Sequence, residues 1–523
     1  MLLEGAPAGL PREDLTEEAE VTCPQMSGRS THFDVLVLGG GTAGCVLAGR
    51  LSEDSSRSIG LIEGGPDYGP FAGGSWPSDL LDAHTMPDSH GWGFEDGRAS
   101  RARVIGGCSS VNACMIVRGS RSDYDEWAPF SGGRWDFASI EPFLTAAESA
   151  LRTRRRSHDE IGPWDRAFCD AAAELGYPAR PDFNDAWTGE AIASWPMNAA
   201  GSVRWNAAFA YVDPARGRAN LRIVPDCLVD RLLIRGSRVA AVEVIRDGAR
   251  EILTADLVVL AAGTYGTPAI LLRSGTGPEK DLGRLAIPVT HRLEGVGENL
   301  IDHPGTVAVA AASGRLLEAL KATPQPMYAS VVILKAQSPA ATEWDLHLIC
   351  WTHASGSSDF ECAIYPKLLK PRSSGKVTLA ASDPARLPLV DHGFLTDAQN
   401  EDAARLVESL RICRRLLGAR AMSNLVEGES RPGPAVVSDE EMEAYVRADT
   451  GGYYHPVGTC RMGVEGDPMA VVDGSCRVHG LHNLVIADAS VMPTIPRANT
   501  NLTVAAIAEK IAASIGKADQ RAD

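Results

Sequence analysis

One stretch constrains this chain more than any other. From His32 it reads H-F-D-V-L-V-L-G-G-G-T-A-G-C-V-L-A-G-R-L, and after a short polar link S-I-G-L-I-E-G-G to Gly65. Asp34 to Leu38 is a β-branched and leucine run, which predicts one buried parallel strand. Gly39, Gly41 and Gly44 follow in G-x-G-x-x-G spacing, and Cys45 to Leu51 continues with a helical apolar period. A second apolar run, Ile59 to Ile62, ends in Glu63. Strand, glycine turn, helix, strand and carboxylate in this order meet each contextual test of a dinucleotide fingerprint. Gly39 permits the tight turn, and Gly41 lets backbone N–H groups approach a pyrophosphate. Gly44 lets the helix pack close to the strand, with the helix N-terminus towards the phosphates. A carboxylate at the end of the second strand holds ribose hydroxyls. It favours an unphosphorylated ribose, hence FAD or NAD over NADP.

A chain of 523 residues can bury more than one core, so two domains are expected. The net charge of −17 argues against nucleic acid or an anionic membrane surface as partner. The 11 cysteines are scattered from Cys23 to Cys476 with no C-x-x-C pair. That pattern suits a reducing, cytoplasmic compartment and argues against a disulfide framework or a structural zinc site, and no metal is expected. Residues 1–30 are acidic and contain prolines, without a basic segment followed by an apolar one, so they read as a floppy or surface-lying extension rather than a secretory signal. No apolar run is long enough to span a membrane.

Gly64 to Trp92 is a long Gly-, Pro- and Asp-rich connection, expected to cover a ligand or gate entry. Asp123 to Gly176 reads as mostly helical. Asn220 to Val224, Cys227 to Ile234, Arg238 to Ile245 and Glu251 to Leu260 read as strands of a small sheet rejoining the nucleotide-binding core, and Leu257 to Gly263 as a further buried strand. Strand-like runs at 307–311, 330–334, 345–351 and 376–380 predict an antiparallel sheet in a second domain. Asn400 to Leu417 is amphipathic, and Ser438-Asp-Glu-Glu441 is a capping box. Leu484 to Asp488 predicts a buried strand ending in a carboxylate, and a last helix runs from about Leu502 to Ile515.

His455 lies in a turn between Gly451-Gly-Tyr-Tyr454 and Pro456-Val-Gly458. Imidazole is the side chain suited to accept a proton from an alcohol near neutrality. Asn499 and Asn501 precede the last helix, where Asn501 is placed to cap it.

With these residues in hand, the chain resembles the glucose–methanol–choline (GMC) family of FAD oxidoreductases from about Phe33 to Ala513. Five motifs stand in the family's order: the Gly39–Gly44 loop with Glu63; Gly106-Gly-Cys-Ser-Ser-Val-Asn112; Gly263-Thr-Tyr-Gly-Thr-Pro-Ala-Ile-Leu-Leu-Arg-Ser-Gly-Thr-Gly277; Gly295-Val-Gly-Glu-Asn-Leu-Ile-Asp-His303; and His455-Pro-Val-Gly with Asp488 and Asn499. Tyr365-Pro-Lys, Pro371-Arg-Ser-Ser-Gly-Lys-Val and Asp383-Pro are similar to the family's substrate-domain tail.

The resemblance implies an α/β fold. A Rossmann-like FAD-binding domain with a parallel sheet (31–130, 215–300 and 455–516) is joined to a substrate domain on an antiparallel sheet with helices (131–214 and 301–454). It implies that Gly39, Gly41, Thr42, Ala43 and Gly44 cradle the pyrophosphate and that Glu63 meets the adenosine ribose. It places Val229 at the adenine, Gly107, Ser109 and Asn112 on the flavin side, and Asp488 and Ala489 at the ribityl-phosphate. Thr500 and Asn501 fall near the pyrimidine end of the flavin ring. His455 is then the catalytic base and Asn499 its partner.

Three departures stand out. Val111 occupies the position of the histidine that bonds FAD covalently in choline oxidases, so non-covalent FAD is expected. Thr276 replaces an aliphatic residue, and Cys108 a smaller one. The implied reaction is oxidation of an alcohol to an aldehyde or ketone by hydride transfer to flavin N5, with reoxidation by O2 or another acceptor. Aryl or furanic alcohols are favoured over sugars. Because one fold hosts several chemistries, a hydroxynitrile lyase-like or photodecarboxylase-like reaction stands as the alternative, and a NAD-dependent dehydrogenase as a third reading.

Overall fold

The glycine turn is held by the sheet it leaves. In the computed structural model, which describes residues 32–94, 100–156, 160–185, 187–322, 332–339, 341–355 and 359–519, β1 (His32–Leu38) runs straight into it. The extension expected at 1–30 lies outside the described residues. β1 carries a buried face throughout Val35 to Leu38, and its partner β2 (Ile59–Ile62) is buried at all four positions. Both faces are covered, as continuous apolar runs in a parallel sheet require. Between them α1 (Thr42–Leu51) buries nine of its ten residues.

β3 (Leu221–Val224) adds to the outer side of β2 in parallel, with Ile62 opposite Val224. It thus belongs to the main sheet and not to a separate small one. β4 (Cys227–Arg235) and β5 (Arg238–Arg246) form an antiparallel meander with the first half of β6 (Ala249–Leu260). The second half of β6 turns parallel to β1, pairing Val35 with Leu257 and Leu38 with Leu260. The runs read separately as Glu251–Leu260 and Leu257–Gly263 are therefore one strand shared by two sheet regions. β7 (Leu484–Ile486) completes the sheet beside β6. β1, β2, β6 and β7 end at one carboxyl edge, where ligands of doubly wound sheets bind. α2 (Gly263–Arg273) leaves this edge after β6, and α3 (Thr500–Asp519) packs along α1.

A second sheet is wholly antiparallel. Its strands lie in the spatial order Val426–Arg431, Ala308–Ala312, Asp359–Leu368, Leu346–Ser355, Val332–Ala336, Ala191–Ser194. Period-two alternation sorts its side chains. Leu346, Leu348, Cys350, Cys362, Ile364 and Leu368 join a core with the helices Pro163–Glu174 and Glu401–Gly418. Ile349, Trp351 and Tyr365 belong to the other face. Lys376–Thr378, expected in this sheet, instead pairs with Leu389–Asp391 in a separate ribbon. The capping box of Ser438 is present at the start of Asp439–Asp449. Within 131–214 the chain serves both cores: Ile140, Leu144 and Ala147 of the helix Phe137–Ala150 pack with the nucleotide-binding core, whereas Trp164 and Phe168 pack under the antiparallel sheet.

Candidate active site

A cleft of about 1090 Å³ opens where the carboxyl edge of the parallel sheet meets the face of the antiparallel one that carries Ile349 and Tyr365. Gly39, Gly41, Thr42, Ala43, Glu63, Gly107, Asn112, Val229, Asp488, Ala489, His455, Asn499, Thr500 and Asn501 all line it, as does Val111. Residues from both ends of the chain are thus brought together, as their motifs imply. The connection after Glu63 contributes Met86, Pro87 and Trp92 to the same walls.

The turn at its floor leaves no room for side chains. Gly39 has φ +108°, and a Cβ there would sit 2.5 Å from the Ala261 carbonyl oxygen. A Cβ on Gly44 would lie 1.8 Å from the Gly39 carbonyl oxygen. Gly44 does not line the cleft; it lets α1 close on β1. Gly41 caps α1 with no side-chain hydrogen bond, so the first-turn N–H groups remain available at the cleft. Thr42 Oγ1 donates to Asn501 Oδ1 at 2.8 Å, clasping this turn to α3. α3 begins at Thr500, so Asn501 sits in its first turn rather than ahead of it, and its oxygen is committed to Thr42. The Asn501 Nδ2 atom is buried without a hydrogen-bond partner.

Glu63 is buried at the end of β2. Its oxygens accept from the backbone N–H groups of Gly40 and Gly65, each at 2.8 Å. Burial outweighs those bonds and pushes its pKa up to about 7. Hydroxyl groups donating to it would favour the ionised form. Asp488 is an anchor more than an open ligand. Its carboxylate accepts from Gly263 N, Thr267 Oγ1, Ser490 N and Ser490 Oγ, at 2.6 to 2.9 Å. It thereby fixes the start of α2. Ser109 stands behind the lining: its hydroxyl donates to the Gly106 carbonyl and accepts from Ala207 N.

His455 and Asn499 meet. Asn499 Nδ2 lies 3.1 Å from His455 Nε2 and 3.6 Å from Met115 Sδ. On its other side His455 Nδ1 is 3.1 Å from His303 Nδ1, and His303 Nε2 is 3.1 Å from the Pro496 carbonyl oxygen. These contacts fix the tautomers. A carbonyl only accepts, so His303 carries its proton on Nε2. Burial holds the His303 pKa down to about 3, so its Nδ1 is an acceptor. His455 must then donate from Nδ1, which leaves its Nε2 lone pair to accept from Asn499 Nδ2. Burial, followed by the neighbouring His303, keeps His455 well below the ordinary imidazole pKa. Asp302 seats both rings: its Oδ1 accepts from the backbone N–H of His303 at 2.7 Å and of His455 at 3.0 Å. The sequence motif Gly295–His303 contained Asp302 and His303, but nothing in its spacing revealed this wiring.

The meeting of an imidazole with an amide in the cleft that holds the glycine turn is accompanied by similarity along the chain. The family description "GMC oxidoreductase" matches residues 33–305 for its N-terminal part and 371–508 for its C-terminal part. The chain belongs to the GMC oxidoreductase family. Among curated relatives, an oxygen-dependent choline dehydrogenase of Photobacterium profundum is 30% identical, covering 93% of both chains. The mitochondrial choline dehydrogenase of Homo sapiens is 30% identical over 97% of this chain and 94% of its own. Among solved structures, pyridoxine 4-oxidase from Mesorbium loti superposes with a TM-score of 0.82 at 27% identity, over 92% of this chain and 99% of that one. This GMC oxidoreductase is therefore an FAD-dependent, alcohol-oxidising enzyme, with a Rossmann-like FAD-binding domain and a substrate domain on an antiparallel sheet.

Proposed function

We propose that His455 and Asn499 oxidise a small-molecule alcohol against FAD held non-covalently along the glycine turn. The observation that carries this reading is the His455–Asn499 contact at 3.1 Å in the wall of the cleft that also contains Gly39, Gly41 and Glu63. The residues present fit the cofactor. The first-turn amides of α1 and the partnerless Asn501 Nδ2 offer donors to phosphate or carbonyl oxygens, and Glu63 offers acceptors to ribose hydroxyls. Val229 and Gly107 give backbone approach, and Asp488 and Ala489 brace the same wall. Val111, an aliphatic side chain in the cleft, has no nucleophilic atom with which to tether a flavin. In this reading 31–130, 215–300 and 455–516 serve FAD, and the second sheet with its helices serves the substrate.

The bound FAD supplies the hydride acceptor. The protein supplies orientation and proton transfer. A substrate hydroxyl entering between His455 and Asn499 replaces their mutual bond, donating to His455 Nε2 and accepting from Asn499 Nδ2. His455 takes the proton as the carbinol carbon gives up its hydride, so the alcohol leaves as a carbonyl compound. The His303 relay keeps the accepting lone pair on the nitrogen that faces the cleft.

Anaerobic titration of the purified holoenzyme with an alcohol panel tests the reading: flavin absorbance bleaches, and acid precipitation then releases the flavin to the supernatant. No bleaching by any alcohol would transfer support to a lyase-type reaction on the same scaffold, and flavin retained in the pellet would refute non-covalent binding. Peroxide assayed with and without an artificial acceptor assigns the second half-reaction to O2 or to another acceptor. A reducing, cytoplasmic setting remains part of the proposal; it is supported by the described cysteines, all of which are free thiols.

The pH dependence follows from burial. Protonated His455 cannot act as base, and its pKa lies below the usual value of about 6.5. The acid limb of the reductive half-reaction is therefore displaced downward, and kcat/KM stays level as pH falls through about 6.5. A midpoint at the ordinary imidazole value would contradict the buried, neutral base.

A further inference from the structure

Lys367 is a cation in the cleft wall without an anion. It lies on the strand Asp359–Leu368, two residues from Tyr365 on the same face and opposite His347 in the neighbouring strand. Its Nζ stands 5.8 Å from the centre of the Tyr365 ring and 5.7 Å from that of Tyr453. The Tyr453 ring is itself 4.2 Å from the His455 ring, centre to centre. One aromatic ring thus touches both the base and the ammonium group.

Among the described residues no carboxylate comes within ion-pair distance of Lys367 and no acceptor within hydrogen-bond distance. Asp302 and Asp449 attract it from beyond ion-pair distance. Asp302 Oδ1 holds two backbone N–H groups while its Oδ2 lies 3.8 Å from His392 Nδ1, and Asp449 Oδ2 accepts from Thr306 Oγ1 at 2.7 Å and Val307 N at 3.1 Å. Glu361 pairs with Arg431 at 3.4 Å. Gly305 makes the space for the lysine stem, because a Cβ there would meet Lys367 Cδ at 2.3 Å. Burial lowers the ammonium pKa to about 8, which still leaves it charged at neutral pH. A half-buried charge without an ion-pair partner is costly, and a matching anion recovers part of that cost.

We propose that Lys367 receives a carboxylate of the substrate, so that the alcohol oxidised at His455 carries an anionic group about one aromatic ring away from its carbinol carbon. This deepens the alcohol-oxidation reading and rests on it. Tyr365, Tyr453 and Trp351 provide walls for a flat spacer between the two groups. A quaternary ammonium alcohol would bring like charge towards Lys367 and is disfavoured here.

The test uses anaerobic flavin reduction in the full-length holoenzyme. 4-(Hydroxymethyl)benzoate is compared with 4-methylbenzyl alcohol and with choline, and benzoate binding is measured by calorimetry. The acid is expected to exceed the methyl compound by at least ~10-fold in kcat/KM, the range of a charge-assisted hydrogen bond, with choline the poorest. Lys367→Met lowers that ratio by at least ~10-fold and weakens benzoate binding in parallel, while Lys367→Arg keeps the acid preferred. Equal use of the two aryl alcohols by the wild type, or a ratio and benzoate affinity unmoved in Lys367→Met, overturns the assignment of Lys367 alone. Failure of all three compounds, while another alcohol of the panel bleaches the flavin, likewise overturns the assignment of Lys367 and leaves the alcohol-oxidation reading standing.

Discussion

His455→Ala will keep its FAD and lose alcohol-dependent flavin reduction by at least ~100-fold, the lower range for removal of a general base. The prediction separates binding from chemistry. His455 lies in the wall of the cleft, but the glycine turn, the α1 amides and Glu63 are built by residues that do not depend on its side chain. Flavin content measured as the ratio of visible to protein absorbance should match the wild type. Rapid mixing with an alcohol under anaerobic conditions should show the loss. Truncation also frees His303 Nδ1 and one face of Asn499, so a small change in thermal stability is expected. Alcohol-dependent bleaching at the wild-type rate would remove His455 from the reaction.

Gly44→Val is expected to abolish FAD loading by a different route. The new Cβ would fall 1.8 Å from the Gly39 carbonyl oxygen, far inside any real contact. Neither partner can yield cheaply. Gly39 is tied to Ile62 by its N–H at 2.8 Å, and α1 is packed on β1 and α3. The helix must back away from the strand and carry its first-turn amides with it. Destabilisation of several kcal/mol, roughly 4, is of the size that core overpacking and backbone strain produce. Purified protein should hold below about a tenth of the wild-type flavin and melt earlier in a thermal scan. Wild-type flavin content in this variant would show that close approach of helix and strand is not what builds the turn.

The parallel core could be read from residues because its signals are local. A short apolar run, three glycines at fixed spacing and a carboxylate at the next strand end leave little freedom, and β1, α1 and β2 lie where that pattern puts them. The meeting of His455 with Asn499 rested on family resemblance, since no local pattern joins residues so far apart in the chain. Two kinds of feature escaped. The strand 359–368 contains Pro366 and mixed polar residues, and only its neighbour at 346–355 reveals which side chains alternate to which face. The His303 relay depends on ring nitrogens meeting across a fold, and Asp302 and His303 stood in a family motif with no role assigned to either. Asn501 was legible as polar and near a helix start, but the partner that claims its oxygen, Thr42, comes from the opposite end of the chain. Lys376–Thr378 had strand composition, yet its pairing partner at 389–391 took it out of the larger sheet.

The Thr42–Asn501 clasp, together with β7 on the edge of β6, sets an order of events during biosynthesis. The glycine turn is complete as a peptide early in translation, but the segment that clasps it and carries Asn499 emerges only with residues 484–519. On the proposed reading, a chain that lacks that segment has no complete site however well its first sheet has formed.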